Sequence, residues 1–262
     1  MAPVEFTFDW YRSFLRDLID AGYRFRSYDE ALDPGSVVLR HDVDLSPERS
    51  LQVARLEADL DVTSTFFFLL SSPMYNPLDA PTREAIRSIE ALGHDVGLHF
   101  STHQYWPASD PPAESSLGDR VDEEHRILSA LVDRPIGTIS FHIPPEWVLR
   151  RRFPTFESTY EPRFFDEIGY VADSNQRWRE SHPLADGLAD RVQVLTHPGL
   201  WEPSDGRFDE RVEAARNATR ERVRAYTTDR FLEPGPPAEL ARLLRESETE
   251  QDRIRKQIYN RA

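Results

Sequence analysis

An α/β fold built on a parallel sheet is predicted by three features of the chain. Short runs of β-branched and aromatic residues recur along it. Stretches with helical apolar spacing separate those runs. Most of the runs end abruptly in acidic residues or histidine, the pattern of strand ends that open onto a shared site. A parallel barrel and a doubly wound sheet both fit this alternation.

The elements follow in order. Trp10, Tyr11, Phe14, Leu15, Leu18 and Ile19 mark one face of a helix over Phe8–Ala21, stopped by Gly22. Val37 and Val38 lead into Leu39–Asp44, the first strand end. Ser46, Pro47 and Glu48 read as an N-cap, a first-turn proline and an acidic first turn, opening a helix that runs to Leu60. Thr63–Leu70 is dense in β-branched and aromatic residues and reads as a buried strand. The loop Ser71–Pro81 is long enough to belong to a site. A helix over Thr82–Leu92 ends at Gly93, and His94–Phe100 reads as a third strand. Beyond the proline-rich 107–112 loop come a helix at about Asp119–Val132 and a strand at Ile136–Phe141. Weak periodicity over 145–169 predicts an irregular excursion across one face. Tyr170–Asp173 and Val192–Thr196 are two further strands, and Phe208–Tyr226 and Ala238–Ile258 are charged helices. Residues 1–207 are expected to form the barrel domain. Residues 208–262 would complete the barrel, cover its bottom or form a dimer interface, so a homo-oligomer is among the expectations.

Composition narrows the function. The 262 residues carry 46 acidic and 32 basic side chains, for a formal net charge of −14, which argues against a nucleic-acid or anionic-membrane surface. No apolar run approaches the ~18–20 residues of a membrane span. The N-terminal residues lack a basic region followed by an apolar stretch, which points to a cytoplasmic protein. Cysteine is absent, so thiolate metal sites and disulfides are excluded. Lys256 is the only lysine. That bias fits a salty cytoplasm and a GC-rich genome equally.

Two constellations carry chemistry. Asp42 and Asp44 end the first strand beside His41, and reach the same mouth if the backbone bends there. His99 and His103 stand four apart, a spacing one metal ion can bridge, and Asp44 completes a two-histidine, one-carboxylate set with room for water. Hydrolysis at such a metal needs a base and an acid. Asp42 is the natural base, and His197, ending Leu195-Thr196-His197-Pro198, is a candidate acid.

Asp42-Val43-Asp44, Gly93-His94-Asp95-Val96-Gly97-Leu98-His99 running to His103, Asp173, and Leu195-Thr196-His197 together resemble the polysaccharide deacetylase family, the NodB-type carbohydrate esterases. The resemblance spans about Val37–Trp201. It implies an incomplete (β/α)7 barrel and hydrolysis of an N-acetyl amide on a sugar or glycan precursor. It also implies one divalent ion, zinc first and cobalt, nickel or manganese as alternatives. Carried over, the roles are Asp42 as base, Asp44, His99 and His103 as metal ligands, and His197 as acid. Asp173 resembles the aspartate that orients the acid, with Trp178 as its aromatic companion. The family's third-motif arginine has no counterpart in Phe141-His142-Ile143-Pro144, so His142, Arg40 or Arg163 is expected to replace it. His142, Tyr75 and Trp201 are the expected substrate contacts, and Asn76, Tyr105, Trp106 and Trp147 share the strand-to-helix loops. Two other functions stay open: hydrolysis of another non-peptide C–N bond, as in allantoinase-like relatives, and a non-catalytic carbohydrate-binding scaffold.

Overall fold

A computed structural model describes residues 3–185, 187, 189–232, 245–247 and 249. The chain divides into two compact units, Met1–Arg216 and Asn217–Ala262. The first contains the sheet. Its strands are β1 (Arg24–Phe25), β2 (Ser36–Val43), β3 (Thr65–Leu69), β4 (Asp95–Phe100), β5 (Thr138–Phe141), β6 (Glu157–Ser158), β7 (Gly169–Ala172) and β8 (Arg191–Thr196). They pair in the order β6-β5-β4-β3-β2-β8-β7, with β1 beside the start of β2, and every pairing is parallel. Helices α1 (Phe8–Asp20), α2 (Pro47–Ala58), α3 (Ala80–Ala91), α4 (Glu114–Leu128) and the short α5 (Pro162–Phe165) intervene along the chain, and α6 spans Phe208–Thr227. This is an incomplete (β/α)7 barrel, as the sequence predicts.

Local chemistry accounts for the boundaries. Ser46 caps α2, its Oγ accepting from Arg49 N at 3.2 Å, with Pro47 in the first turn. Gly22 and Gly93, with φ of +86° and +95°, follow the ends of α1 and α3 in the left-handed region that glycine enters freely. The structure departs from the sequence reading at three points. α4 begins at Glu114, five residues earlier than expected, because its first turn is polar and lacks the apolar spacing that marks a helix. The 145–169 excursion contains β6 and α5, each too short to show a period. β1 is a two-residue strand, also below any pattern. In the second unit, a π-helical turn, Thr228–Leu232, follows α6. The expected helix Ala238–Ile258 lies outside the described residues, apart from 245–247 and 249, which are helical. Among the described residues no helix is long and apolar enough to cross a membrane.

Strand alternation builds two different layers. Val37, Leu39 and Val43 of β2 join Phe66, Phe68, Val96, Leu98 and Val194 in the main apolar core with α1–α4. The opposite face encloses a smaller cluster of Tyr28, Val38, Phe67, Ile136 and Phe164. Gly97 sits opposite Phe67 in the β3–β4 register, and a Cβ there would lie 2.6 Å from the Phe67 ring. Glycine at this strand position is therefore a packing requirement.

The sheet does not pair β6 with β7, and a side chain spans the gap. Gln193 of β8 donates through Nε2 to the carbonyls of Thr159 (3.2 Å) and Phe164 (3.0 Å), and its Oε1 accepts from Tyr28 Oη. Backbone groups that a closed barrel would satisfy by strand pairing are satisfied here by one amide.

On the core side, Glu57 of α2 is fully buried. Its oxygens accept from Tyr11 Oη (2.5 Å) and Ser64 Oγ (2.6 Å), and His41 Nε2 lies 2.8 Å away. His94 Nδ1 stands 3.7 Å off. Burial works to raise the Glu57 carboxyl, but His41, His94 and Ser64 outweigh it and hold it below the ordinary range. Burial lowers His94, with Glu57 opposing. Both shifts make the folded state bind fewer protons than the unfolded chain, so stability rises with pH through the range where they titrate. The stability that this cluster contributes should therefore fall as pH drops below about 6.5, the ordinary histidine value. It should fall further below about 4.5, where an unfolded glutamate takes its proton. Calorimetry from pH 7 to 4 checks this, and Glu57→Gln should flatten the lower part of the slope. Gly97→Ala should cost about 1–3 kcal/mol in urea titrations, since the Phe67 ring must move.

Candidate functional site

One strand supplies the floor of the site. By alternation, Arg40, Asp42 and Asp44 share the barrel-side face of β2 and its extension, while His41 points the other way to Glu57. No bend is needed to bring the two aspartates together. The end of β2 is pinned by Tyr75, whose Oη donates to Val43 O at 2.6 Å and accepts from Leu69 N at 2.9 Å. Ser72 Oγ donates to Asp44 O at 3.1 Å. The loop after β3 thus fixes the backbone that carries Asp44.

Asp42 is 2% exposed and has both oxygens engaged. Arg40 NH2 lies 3.3 Å from Oδ2, and Ser140 Oγ donates to Oδ1 at 2.9 Å. Arg40 also donates to Tyr160 Oη at 2.8 Å and stacks 4.7 Å from that ring. Arg40 is therefore the cation beside Asp42. Arg163 pairs instead with Glu157.

His99, on β4, faces Ser140 with Nδ1, 3.2 Å from the carbonyl oxygen and 3.1 Å from Oγ. A carbonyl accepts only, so Nδ1 is a donor, and Nε2 faces Asp44 Oδ1, 3.2 Å away. His142, just past β5, sets Nδ1 3.0 Å from the same oxygen and 3.3 Å from His99 Nε2. Asp44 Oδ1 is itself buried and receives no hydrogen bond of ordinary geometry. Burial works against its charge, but His142 and His99 overcome it and hold the carboxyl far below the usual range. Burial lowers His99 in turn, and Asp42 and Asp44 reverse that, leaving it raised.

Asp44, His99 and His142 are thus the described residues whose donor atoms converge as metal ligands do, all within 4.8 Å of one another. Their separations of 3.0, 3.2 and 3.3 Å match the edge of a tetrahedron with metal–ligand bonds near 2.0–2.1 Å, which is about 3.3 Å. A buried orphan carboxylate oxygen and two converging nitrogens fit a divalent cation.

His103, the third ligand expected from the sequence, lies outside this set. It is exposed on a 3-10 turn, Thr102–Gln104, with Nε2 2.9 Å from Ile143 O. A four-residue spacing puts two histidines together on a helix, but here the first is on a strand and the chain changes conformation between them. Ile143 itself adopts φ of +45°, rare for a β-branched residue, and His103 bonds the carbonyl of that corner directly after His142. His142 escaped ligand assignment because its partners lie more than 40 positions away, with no local motif.

His197, just past β8, completes the cluster. Its Nδ1 lies 2.5 Å from Asp173 Oδ1, and its backbone N–H donates to Asp173 Oδ2 at 3.0 Å. Trp201 Nε1 donates to the same Oδ2 at 2.9 Å. Burial lowers the imidazole, but Asp173 and the floor aspartates push it up to about 9. Nε2 is 4.0 Å from Asp44 Oδ2. Asp42, Asp44, His99, His142 and His197 all line one cavity of about 650 Å³. Tyr75 and Trp201 do not line it. They are buried, 6% and 0% exposed, and act on the backbone and on Asp173. Trp178 is likewise buried against Trp10, Phe14 and Trp201. Tyr105 and Trp106 line a separate hollow.

No protein-family model matches the chain, and no curated protein matches it. Solved structures similar to it include a carbohydrate esterase family 4 pseudoenzyme from Bacillus anthracis. Identity is 15% over 71% of this chain and 60% of that one, with a TM-score of 0.44. They also include the peptidoglycan deacetylase PdaC of Bacillus subtilis, at 17% identity over 72% and 87%, TM-score 0.46. A family 4 acetyl xylan esterase from Clostridium thermocellum, solved with cobalt, is 14% identical over 71% and 84%, TM-score 0.40. The chain thus spans less than two thirds of the pseudoenzyme's length.

Elemental analysis of purified variants tests the ligand set. His142→Ala and Asp44→Ala should lose a bound divalent ion after zinc loading and desalting, while His103→Ala should keep it. Retention by His142→Ala with loss by His103→Ala would reverse the assignment.

Proposed function

We propose that the protein is a metal-dependent hydrolase that removes an N-acyl group, in the first instance N-acetyl, from a sugar or glycan precursor. The observation that carries this reading is one cavity lined by a three-donor cluster, a separate buried carboxylate and an aspartate-bound histidine. A divalent ion held by Asp44, His99 and His142 would polarise the acyl carbonyl and acidify a water.

The protein's own groups supply the remaining needs. Asp42 is the base that takes the proton from the attacking water. Arg40 and Ser140 hold its two oxygens in fixed directions, so no reorientation is needed at the moment of attack. His197 donates a proton to the leaving amine, without which the tetrahedral intermediate would collapse back to the amide. Asp173 supports that role by binding Nδ1, which leaves Nε2 as the nitrogen facing the cavity. Trp201 in turn anchors Asp173, so the acid is positioned through two consecutive contacts.

Zinc- or cobalt-loaded protein should release acetate from N-acetylated hexosamine derivatives. Asp42→Asn should retain metal yet lose about 10²–10⁴ in kcat, the usual share of general base catalysis, and His197→Ala a similar factor. Full turnover by Asp42→Asn would put the base elsewhere. Metal binding without release of any acyl group, whatever the divalent ion, would end the hydrolase reading.

A further inference from the structure

The cavity has one permanent cation in its wall. Among the residues lining it, Arg177 is the sole arginine or lysine. It is exposed at the rim, and no ion pair or side-chain hydrogen bond holds its guanidinium among the described residues. Its neighbour Arg179, two positions on, is by contrast locked to Asp205 at 2.6 and 3.0 Å. Arg177 is left open at the mouth of a cavity in a protein with excess negative charge.

The segment that presents it is held against backbone preference. Asn175 and Gln176 both take left-handed conformations, with φ of 55° and 58°. Asparagine tolerates that region, while glutamine enters it against the clash of its Cβ. Gln176 is fixed there by two contacts. Its Nε2 donates to Gly206 O at 2.8 Å and its Oε1 accepts from Arg179 Nε at 3.1 Å. Asp173 and buried Trp178 bracket the turn. Strain of this kind persists where the surroundings enforce it, and it collects at functional sites. The result is that Ser174, Asn175 and Arg177 line the same cavity as the floor aspartates.

We infer that Arg177, with Ser174 and Asn175, forms a subsite for an anionic group, a carboxylate or a phosphate, on the molecule whose amide meets Asp42 and the Asp44 cluster. A guanidinium fork matches the paired oxygens of either anion, and a serine hydroxyl and an asparagine amide add donors. The rim cation holds its anion at the mouth, while the amide end reaches the floor groups of the same cavity. Ile143, Leu149, Phe165 and Phe208 make much of the intervening wall apolar.

This inference rests on the deacylase reading for the amide end alone, so its test is binding rather than turnover. Full-length, chelator-treated protein would be titrated calorimetrically at low salt with three probes. These are N-acetylglucosamine (neutral), N-acetylmuramic acid (carboxylate) and N-acetylglucosamine 1-phosphate. At least one anionic probe should bind about tenfold tighter than the neutral one, and which one it is separates carboxylate from phosphate. R177Q, with unchanged thermal unfolding, should bring the probes within about twofold, and raised salt should shrink the wild-type preference. Equal binding of all probes, no binding of any, or a preference that survives in R177Q would overturn the subsite. An Arg177-dependent preference without acyl release under any divalent ion would leave the subsite standing and remove the deacylase. Acyl release without a preference would do the reverse.

Discussion

Three consecutive residues of the central strand, Arg40, His41 and Asp42, are no more than 2% exposed. Moving an ionised side chain out of water costs several kcal/mol unless partners replace the lost hydration. Much of the molecule is organised around supplying them. Inside the barrel, Arg40 takes Asp42 and the hydroxyl and ring of Tyr160, and Asp42 takes Ser140 from β5. On the helix side, His41 takes Thr196 from β8 and Glu57 from α2. The irregular stretch between β6 and β7 has a purpose in this light. It carries Tyr160 to Arg40, and its carbonyls are tied back to the barrel by Gln193.

The same constraint shapes the site. The carboxylate engaged by Arg40 and Ser140 is distinct from the one two residues later, whose Oδ1 meets only imidazole nitrogens. Ser140 joins the two halves, donating to Asp42 while accepting from His99. One serine thereby orients a cluster histidine and sets the direction of the neighbouring carboxylate. Across the cavity, Asp173 and Trp201 do the equivalent for His197. Polar groups that never meet a ligand thus set the direction of those that do.

Much of this was legible in the sequence, for physical reasons. β-branched runs ending in Asp or His announced β2, β4 and β8, and the Ser46-Pro47-Glu48 start of α2 is local chemistry that the fold leaves intact. Asp42, Asp44 and His197 stood out because strand ends are where side chains face a common opening, and His99 because of its spacing from His103; the structure lines one cavity with all four. His142 was read as a stand-in for a missing arginine and as a substrate contact, not as a member of the Asp44 cluster. Its place beside Asp44 depends on the β4–β5 pairing and on the strained corner at Ile143, neither of which leaves a periodic mark. Tyr75 and Trp201 were read as ligand contacts because aromatics in strand-to-helix loops suit sugar rings. A phenol or indole with one good backbone or carboxylate partner buries just as readily, and both took that course.

The opposite-facing partners of β2 also bear on how the chain finds its fold. Docking β2 one residue out of register would drive Arg40 and Asp42 beneath α2 and turn His41 into the barrel, stranding each from its counter-group. Those counter-groups arrive on separate pieces: α2, β5, β8 and the turn before α5. Each arrival rewards only the correct alignment of what came before. A one-residue slip would forfeit all of these pairings at once, so the buried polar groups of the central strand specify its register as firmly as the apolar ones do.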